Sequence, residues 1–408
     1  MKLSICFVSP EFFPIAGGTG AYVHYLSREL AKLGNEVHVL AQWSEGKEPF
    51  ETVDRVNIHY LKCPKTPIIR SWRFASSTFN KLEELKKGLK FDVIHANLPL
   101  VPDFAIPQKA GETLVTTSHS TWPGEAAAIR REKFEKLNTN ERFMLRFNRM
   151  LKSFEKGLME RAAALIAVSL YTKKELTDFY KMPEEKINVI YNGVDVEKFK
   201  PLPNKGEIRQ KLGLREDSRI ILCVGRLYHR KGLSTLLRAV PKVASTFDDV
   251  KFIVAGKGLK GEEKELSNLA TSLKVKDFVT FTGYFPDEAL PNLYAASDIF
   301  VLPALYENFP FAILESQASG LPVISTRVGG IPEYVTEGKN GLLIDPGDHE
   351  QLASAMITLL SDTDLAAKLG EAGRKLVEEK FAWPLITGQV IETYRKVLEK
   401  PDNEPKIL

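Results

Sequence analysis

The sequence predicts an α/β protein of two similar domains in tandem, each an open parallel sheet covered by helices on both faces, and three observations carry that reading. The chain has 408 residues, more than the roughly 250–300 over which a single hydrophobic core keeps growing, so two domains of about 200 residues are expected. Short apolar runs alternate with helix-period patterns along the whole chain, as strands joined by crossover helices do. A series of strand, glycine-bearing loop, helix and strand opens the sequence, and a series of the same kind begins again at Arg219.

The elements follow in order. Leu3 to Val8 reads as a strand, Ala16-Gly17-Gly18-Thr19-Gly20 as its loop, Tyr22 to Leu33 as a helix and Glu36 to Leu40 as the next strand, a parallel β-α-β unit. Apolar runs at Val56 to Leu61, Phe91 to Ala96, Leu114 to Thr117 and Leu165 to Ser169 continue the sheet, separated by helical patterns such as Phe79 to Leu89 and Arg142 to Arg161. In the second series Ile220 to Val224 is a strand, Gly225 to Gly232 a loop, Leu233 to Ala244 a helix and Val250 to Ala255 a strand. Lys200-Pro201-Leu202-Pro203-Asn204-Lys205-Gly206 has linker composition, which sets the expected domains at 1–200 and 207–380. A last helical pattern, introduced by Phe381-Ala382-Trp383-Pro384, occupies 381–408 and is expected to pack back on the first domain.

Composition excludes several classes. Hydrophobic residues make up 44% and charged residues 26%, the balance of an ordinary globular chain rather than a disordered or fibrous one. Cys6, Cys63 and Cys223 are an odd number without metal-ligand spacing, as expected of core residues in a reducing compartment. Leu3 to Val8 is too short for a signal-peptide core and no run approaches 18 apolar residues, so a cytoplasmic location is expected. The net charge of +4 is uneven: residues 1–200 carry 30 Lys and Arg against 24 Asp and Glu, and residues 201–408 carry 26 against 28. A modest basic first half suits phosphorylated ligands or an anionic membrane surface, and no nucleic-acid partner is expected.

Four constellations carry chemistry. In Gly225-Arg226-Leu227-Tyr228-His229-Arg230-Lys231-Gly232, at the carboxyl end of a strand where open α/β sheets bind ligands, Arg226 offers a planar fork for phosphate oxygens and Lys231 a compact charge. A merely solvated basic loop is the alternative. The run Glu307-Asn308-Phe309-Pro310-Phe311-Ala312-Ile313-Leu314-Glu315 follows the strand Ile299 to Leu302. Pro310 reads there as the first helical residue, with Glu307 in the loop and Glu315 in the second turn, and the unpaired N–H groups can bind hydroxyls or phosphate. Gly18, Thr19 and Gly20 precede a helix, where absent side chains let backbone approach an anion. Val23 in place of a third glycine, and no acid after Leu40-Ala41-Gln42, argue against a dinucleotide-dependent dehydrogenase, and a structural tight turn is the other alternative. His119 stands at a strand end before Ser120-Thr121-Trp122-Pro123-Gly124. Asp362-Thr363-Asp364 lies between helical patterns and reads as helix capping, not as a metal site.

Together these pieces resemble the retaining glycosyltransferases of the GT-B fold, family four, which include sucrose-phosphate synthases, trehalose-forming synthases and bacterial mannosyl- and glucosyltransferases. The resemblance runs from Met1 to about Leu398 and is most specific in the second half, through Asn192-Gly193-Val194-Asp195, Gly225 to Gly232, Gly256-x-Gly258, Phe281-Thr282-Gly283-Tyr284, Glu307 to Glu315 and Gly329-Gly330-x-Pro332-Glu333. It implies two Rossmann-like, doubly wound domains facing each other across a cleft, the first for the acceptor and the second for a nucleotide-sugar donor. It further implies that Arg226 and Lys231 bind the donor diphosphate, Glu315 the ribose, and Tyr284 the region of the base. Glu307 and the backbone of Asn308, Phe309, Pro310 and Phe311, with amide donors from all but the proline, would hold the sugar, Gly18, Thr19 and Gly20 would close over the phosphates, and His119 would contact the sugar from the first domain. Ser120 stands where relatives often have an acid after that histidine.

A retaining transfer of a hexosyl group from a UDP-, GDP- or ADP-sugar, with UDP favoured, to a sugar, small-molecule or lipid-linked acceptor is therefore expected, with Glu307, His119, Arg226 and Lys231 at the reacting centre. No cofactor or metal is expected, because charge stabilisation falls to cations and helix termini. Another GT-B nucleotide-sugar enzyme such as an epimerase, and a catalytically silent binding protein, remain alternatives. Arg142, Arg146, Arg149, Lys152 and Lys156 form one helical stripe, with Phe143, Phe147, Leu151, Phe154 and Leu158 on another face. The stripe can meet an acceptor, an anionic membrane surface or only solvent.

Overall fold

A computed structural model describes residues 2–12, 17–43, 47–63, 67–99, 101–107, 113–130 and 139–399, without the side chains of 67–71, 139, 140 and 260. The chain forms two compact units: Met1–Asn192 together with Trp383–Leu408, and Gly193–Ala382.

The first unit runs β1 (Ser4–Val8), α1 (Gly18–Lys32), β2 (Glu36–Gln42), β3 (Phe50–Val53), β4 (Val56–Leu61), α2 (Pro67–Leu85), β5 (Val93–Leu98), β6 (Thr113–Ser118), α3 (Trp122–Ile129), α4 (Thr139–Arg161), β7 (Ala164–Ala167), α5 (Leu170–Tyr180) and β8 (Ile187–Val189). Its sheet has the order β3-β4-β2-β1-β5-β6-β7-β8, parallel except for the antiparallel edge pair β3 and β4. Central β1 sets Ile5 opposite Val37 on one side and Val93 on the other. Ile5, Cys6, Phe7 and Val8 are wholly buried, as a strand covered on both faces requires.

Local chemistry fixes the helix ends. Thr121 caps α3 by accepting from Gly124 N at 3.1 Å, and Ser169 caps α5 by accepting from Thr172 N at 2.9 Å, each satisfying a backbone donor that the first turn leaves orphaned. Helix α1 starts at Gly18 after an extended Gly17, so Gly18, Thr19 and Gly20 form its first turn rather than the loop expected from a pattern beginning at Tyr22. Glycines carry no apolar period, which hid that turn. Helix α2 likewise spans Pro67–Leu85, not Phe79 to Leu89.

The second unit contains α6 (Lys205–Lys211), β9 (Arg219–Val224), α7 (Leu233–Ala244), β10 (Val250–Ala255), α8 (Lys260–Ser272), β11 (Val279–Gly283), α9 (Leu290–Ala296), β12 (Ile299–Leu302), α10 (Phe311–Ala318), β13 (Val323–Thr326), β14 (Leu342–Ile344), α11 (His349–Ser361) and α12 (Thr363–Lys380). Its sheet, β11-β10-β9-β12-β13-β14, is parallel throughout. Asp362 accepts from Leu365 N at 2.9 Å, so it caps α12.

The boundary between the units lies at Asn192 and Gly193 rather than in the stretch 200–206. Arg374 Nη1 of α12 donates to the carbonyls of Val196, Phe199 and Ala318, and Val194 N donates to Phe381 O at 2.7 Å. These donors bind 193–200 into the second unit, and the proline-rich stretch merely leads into α6. After Ala382 the chain returns to the first unit as α13 (Trp383–Glu399). Trp383 stacks on Tyr25 of α1 at 5.8 Å, and the Tyr394 hydroxyl hydrogen-bonds His95 Nδ1 of β5 at 2.5 Å. Among the described residues, no helix is long and apolar enough to cross a membrane.

Candidate functional site

In the second unit the strand order reverses between β9 and β12, the place where open α/β sheets take ligands at the carboxyl ends of their strands. The two loops that leave those strands are Gly225 to Gly232 and Pro303 to Pro310. Leu305 N donates to Arg230 O at 2.7 Å, joining them edge to edge. Gly232, in the left-handed region at φ +70°, would carry a Cβ only 1.7 Å from Pro303 O. Gly329, at φ +56°, would carry one 1.6 Å from Glu307 O, and Gly330 N donates to that carbonyl at 3.2 Å. Only glycine permits such backbone contact, so the positions of Lys231 and Glu307 are set by main-chain packing.

That packing brings Lys231 and Glu307 together. Lys231 Nζ donates to Glu307 Oε1, and the two side chains keep 17% and 13% of their surface. Arg226, half-buried on the same loop, has its guanidinium 5.7 Å from the ring centre of Tyr228. Asn308 is buried. Phe309 points its ring inward, 4.2 Å from Tyr334 and 5.7 Å from Phe381, so its side chain is core and only its backbone can meet a ligand. Pro310 is the cap of α10 (φ −72°, ψ 128°) and Phe311 the first helical residue, one position later than the sequence suggests. A proline is tolerated at a helix start, and here the extended ψ ends the loop before the helix begins.

Glu315 sits half-buried on α10 and accepts at Oε2 from the Tyr294 hydroxyl of α9 at 2.7 Å. Burial pushes its carboxyl up to about 7, against the opposing pull of the Tyr294 hydrogen bond. Tyr284 is 58% exposed just past β11, the edge strand separated from β9 by β10. Sequence reasoning missed Tyr294: one tyrosine in an apolar helical pattern reads as core, and its hydroxyl gains meaning only through Glu315.

In the first unit His119 follows β6. Its Nε2 lies 3.1 Å from Asn97 Oδ1, and the Tyr22 ring of α1 meets it edge-on at 4.7 Å. Burial lowers the imidazole to about 3, so it is neutral near pH 7 and serves as a hydrogen-bonding group, not a cation. A second histidine, missed in the sequence, lies behind it: His95 is wholly buried, bonded to Tyr394 and, at 2.7 Å, to Thr117 Oγ1. Ser120 Oγ donates to Glu125 Oε1 at 2.6 Å. Gly18, Thr19 and Gly20 offer the first-turn amides of α1. Gly20 allows close packing there, since a Cβ would lie 3.3 Å from Phe12 N.

Helix α4 is kinked at Phe147, whose backbone leaves helical geometry (φ −107°, ψ 15°). Arg142, Arg146 and Arg149 are exposed. Lys152 instead lies 5.7 Å from the Tyr180 ring centre, and Lys156 pairs with Glu160 at 3.1 Å. Phe147, placed on the apolar face by ideal periodicity, is exposed together with Met150, because the kink turns that part of the face outward. Next along α4, Phe154 meets Trp72 and Phe104, which stack on each other at 4.8 Å.

Two parallel α/β units in tandem, each with glycine-shaped loops at the carboxyl strand ends, make up the GT-B architecture of glycosyltransferases. Residues 204–376 match the family model for glycosyl transferases group 1, and residues 16–198 that for glycosyltransferase family 4. An uncharacterized glycosyltransferase of Methanocaldococcus jannaschii is 28% identical, covering 97% of this chain and 99% of its own. A D-inositol 3-phosphate glycosyltransferase of Thermobispora bispora is 28% identical over 94% of this chain and 91% of its own. The sucrose-phosphate synthase of Thermosynechococcus elongatus superposes with a TM-score of 0.82 at 24% identity, covering 97% of this chain and 99% of its own. The chain belongs to the group 1, family 4 glycosyltransferases, which use nucleotide sugars.

Proposed function

We propose that this chain is a retaining, metal-independent transferase that moves a hexosyl group from a nucleoside diphosphate sugar, with UDP the first candidate and GDP or ADP the others, to an acceptor hydroxyl. The observation that carries the reading is the Lys231–Glu307 pair, held by glycine-enforced loop contacts where the strand order reverses. Arg226 and Lys231 supply positive charge to the departing diphosphate, and the first-turn amides of α10 add donors. Glu307 accepts from sugar hydroxyls and holds Lys231 in place until phosphate oxygens compete for it. Glu315 accepts from the ribose, Tyr284 lies toward the base, and His119 and the α1 amides act from the first unit. The bond from the anomeric carbon to the diphosphate oxygen breaks, the acceptor oxygen bonds that carbon on the same face, and the acceptor proton passes to the leaving phosphate. This balances charge and configuration without a strong protein base.

For the acceptor, the full-length relative named for D-inositol 3-phosphate supports a phosphorylated sugar or polyol, with a lipid-linked acceptor as the alternative. The test is a panel of UDP-, GDP- and ADP-hexoses in excess EDTA, followed by release of the nucleoside diphosphate and by the anomeric configuration of the product. Release from one donor class in EDTA, restored no further by magnesium, is expected. Activity abolished by EDTA and recovered with magnesium would overturn metal independence. An altered sugar with the nucleotide still attached would make the enzyme an epimerase, and binding without turnover would leave only a silent binder.

The exposed arginines of α4 beside exposed Phe147 and Met150, next to the Trp72–Phe104–Phe154 group, favour a further reading: a cytoplasmic enzyme resting on an anionic membrane surface. Arginines pair with lipid phosphates while aromatic rings enter the headgroup layer. Co-sedimentation with vesicles containing anionic lipid is expected at low salt and reduced by Arg146→Glu with Arg149→Glu. Equal failure to bind anionic and neutral vesicles would remove the membrane from the reading.

A further inference from the structure

Glu315 takes its hydrogen bond from a phenol: the Tyr294 hydroxyl donates to its Oε2 at 2.7 Å. Ala312 O lies farther from that hydroxyl, at 3.4 Å, and one phenolic proton satisfies one close acceptor, so it belongs to the carboxylate. The Tyr294 ring cannot drift. It is wholly buried, packed edge-on against Phe199 at 5.7 Å and tilted against Phe300 at 5.9 Å. A half-buried carboxylate with one oxygen pinned in this way presents the other in a fixed direction.

We infer that Tyr294 is a positioning residue for donor recognition, fixing the Glu315 carboxylate and stabilising its ionised form so that it can accept from the ribose hydroxyls of the nucleotide. The inference rests on the reading of Glu315 as a ribose acceptor and adds the group that makes it one. Two hydroxyls need two acceptor positions, which an ionised carboxylate supplies in full and a protonated one does not. Burial pushes Glu315 up to about 7, Asp287 adds to the rise, and Lys198 opposes it while itself paired with Asp287. Cys223 of β9 also lies within electrostatic reach of Tyr294, and burial keeps its thiol protonated, pushed up to about 12. Against these groups the Tyr294 hydrogen bond lowers the carboxyl toward the ionised state at neutral pH.

The test is calorimetric binding of UDP, GDP and ADP, whichever the wild type binds, and of the matching 2′,3′-dideoxynucleoside diphosphate, between pH 5.5 and 8.5. In the wild type, affinity for the full nucleotide rises with pH through about 7, and the dideoxy form binds weakly at every pH. Tyr294→Phe keeps the ring and removes only the hydroxyl. It is expected to weaken the full nucleotide about tenfold at pH 7, from the loss of one charge-assisted hydrogen bond. It should leave the dideoxy form unchanged and move the pH midpoint upward, since a carboxylate deprived of a donor holds its proton longer. In a Glu315→Gln background the same change should have little further effect.

The outcomes separate cleanly. Equal weakening of both nucleotides with an unmoved midpoint would make Tyr294 a packing residue and overturn the inference. If Glu315→Gln leaves the difference between the two nucleotides intact, the ribose role of Glu315 fails first, and the inference with it. If Glu315→Gln erases that difference while Tyr294→Phe preserves it, only the inference fails.

Discussion

Lys231→Ala is expected to lower donor turnover by about 10²–10³-fold, the loss seen when one preorganised charge-stabilising group is removed from a developing anion. Glu307→Gln should fall in the same range, because the amide still accepts hydrogen bonds but has lost the charge that pairs with the Lys231 ammonium. The side chains of both residues lie on loops above the sheet, while the Glu307 carbonyl, which carries the packing against Gly329 and Gly330, is untouched by either change. Thermal melting should therefore stay near wild type in both variants. Steady-state release of nucleoside diphosphate, with melting as the control, is the measurement. Turnover near wild type for either variant would take that residue out of the reacting centre. The double variant should cost more than either single one but less than the two losses combined, since the residues touch different parts of the donor yet are in contact with each other.

The second large effect is on stability. Gly329→Ala places a methyl group 1.6 Å from the Glu307 carbonyl oxygen, at a φ of +56°. Backbone must move to admit it, and we expect a loss of about 3–4 kcal/mol from combined overpacking and left-handed strain. Gly338 is the internal control: its φ is +69° but nothing lies within 4 Å of a built Cβ, so Gly338→Ala should cost only about 1–2 kcal/mol of strain. Urea unfolding of the two variants measures the difference. Equal destabilisation would show that the close approach of the two loops contributes nothing beyond the local conformation.

Much of this was legible in the sequence, for identifiable reasons. Parallel strands buried on both faces print as continuous apolar runs, so the strand beginnings at Val56, Ile299 and Val250 could be read directly. The glycines at 232 and 329 stood inside motifs, and so did Lys231 and Glu307, which is why their neighbourhood could be expected. What could not be read was pairing across sequence. Tyr294 with Glu315, His95 with Tyr394 and Arg374 with the carbonyls of Val196 and Phe199 join residues tens to hundreds of positions apart. None carries a local pattern. The boundary was misplaced for the same reason, since composition marks 200–206 while the hydrogen bonds that assign 193–200 come from α12. Phe147 leaves the apolar face expected of it because ideal periodicity presumes a straight helix.

The return of the chain at Trp383 has a consequence for synthesis. The second unit is one uninterrupted stretch, Gly193–Ala382, whereas the first needs residues from both sides of that stretch. During translation the first unit emerges early yet lacks α13, so Tyr25 lacks its stacking partner and His95 Nδ1 lacks the Tyr394 hydroxyl. A buried polar atom without its partner destabilises the core around it. The portion made first is thus completed last, after the whole of the second unit has left the ribosome. A stop codon anywhere before Tyr394 would damage the amino-terminal half of the protein, far from the lesion in sequence.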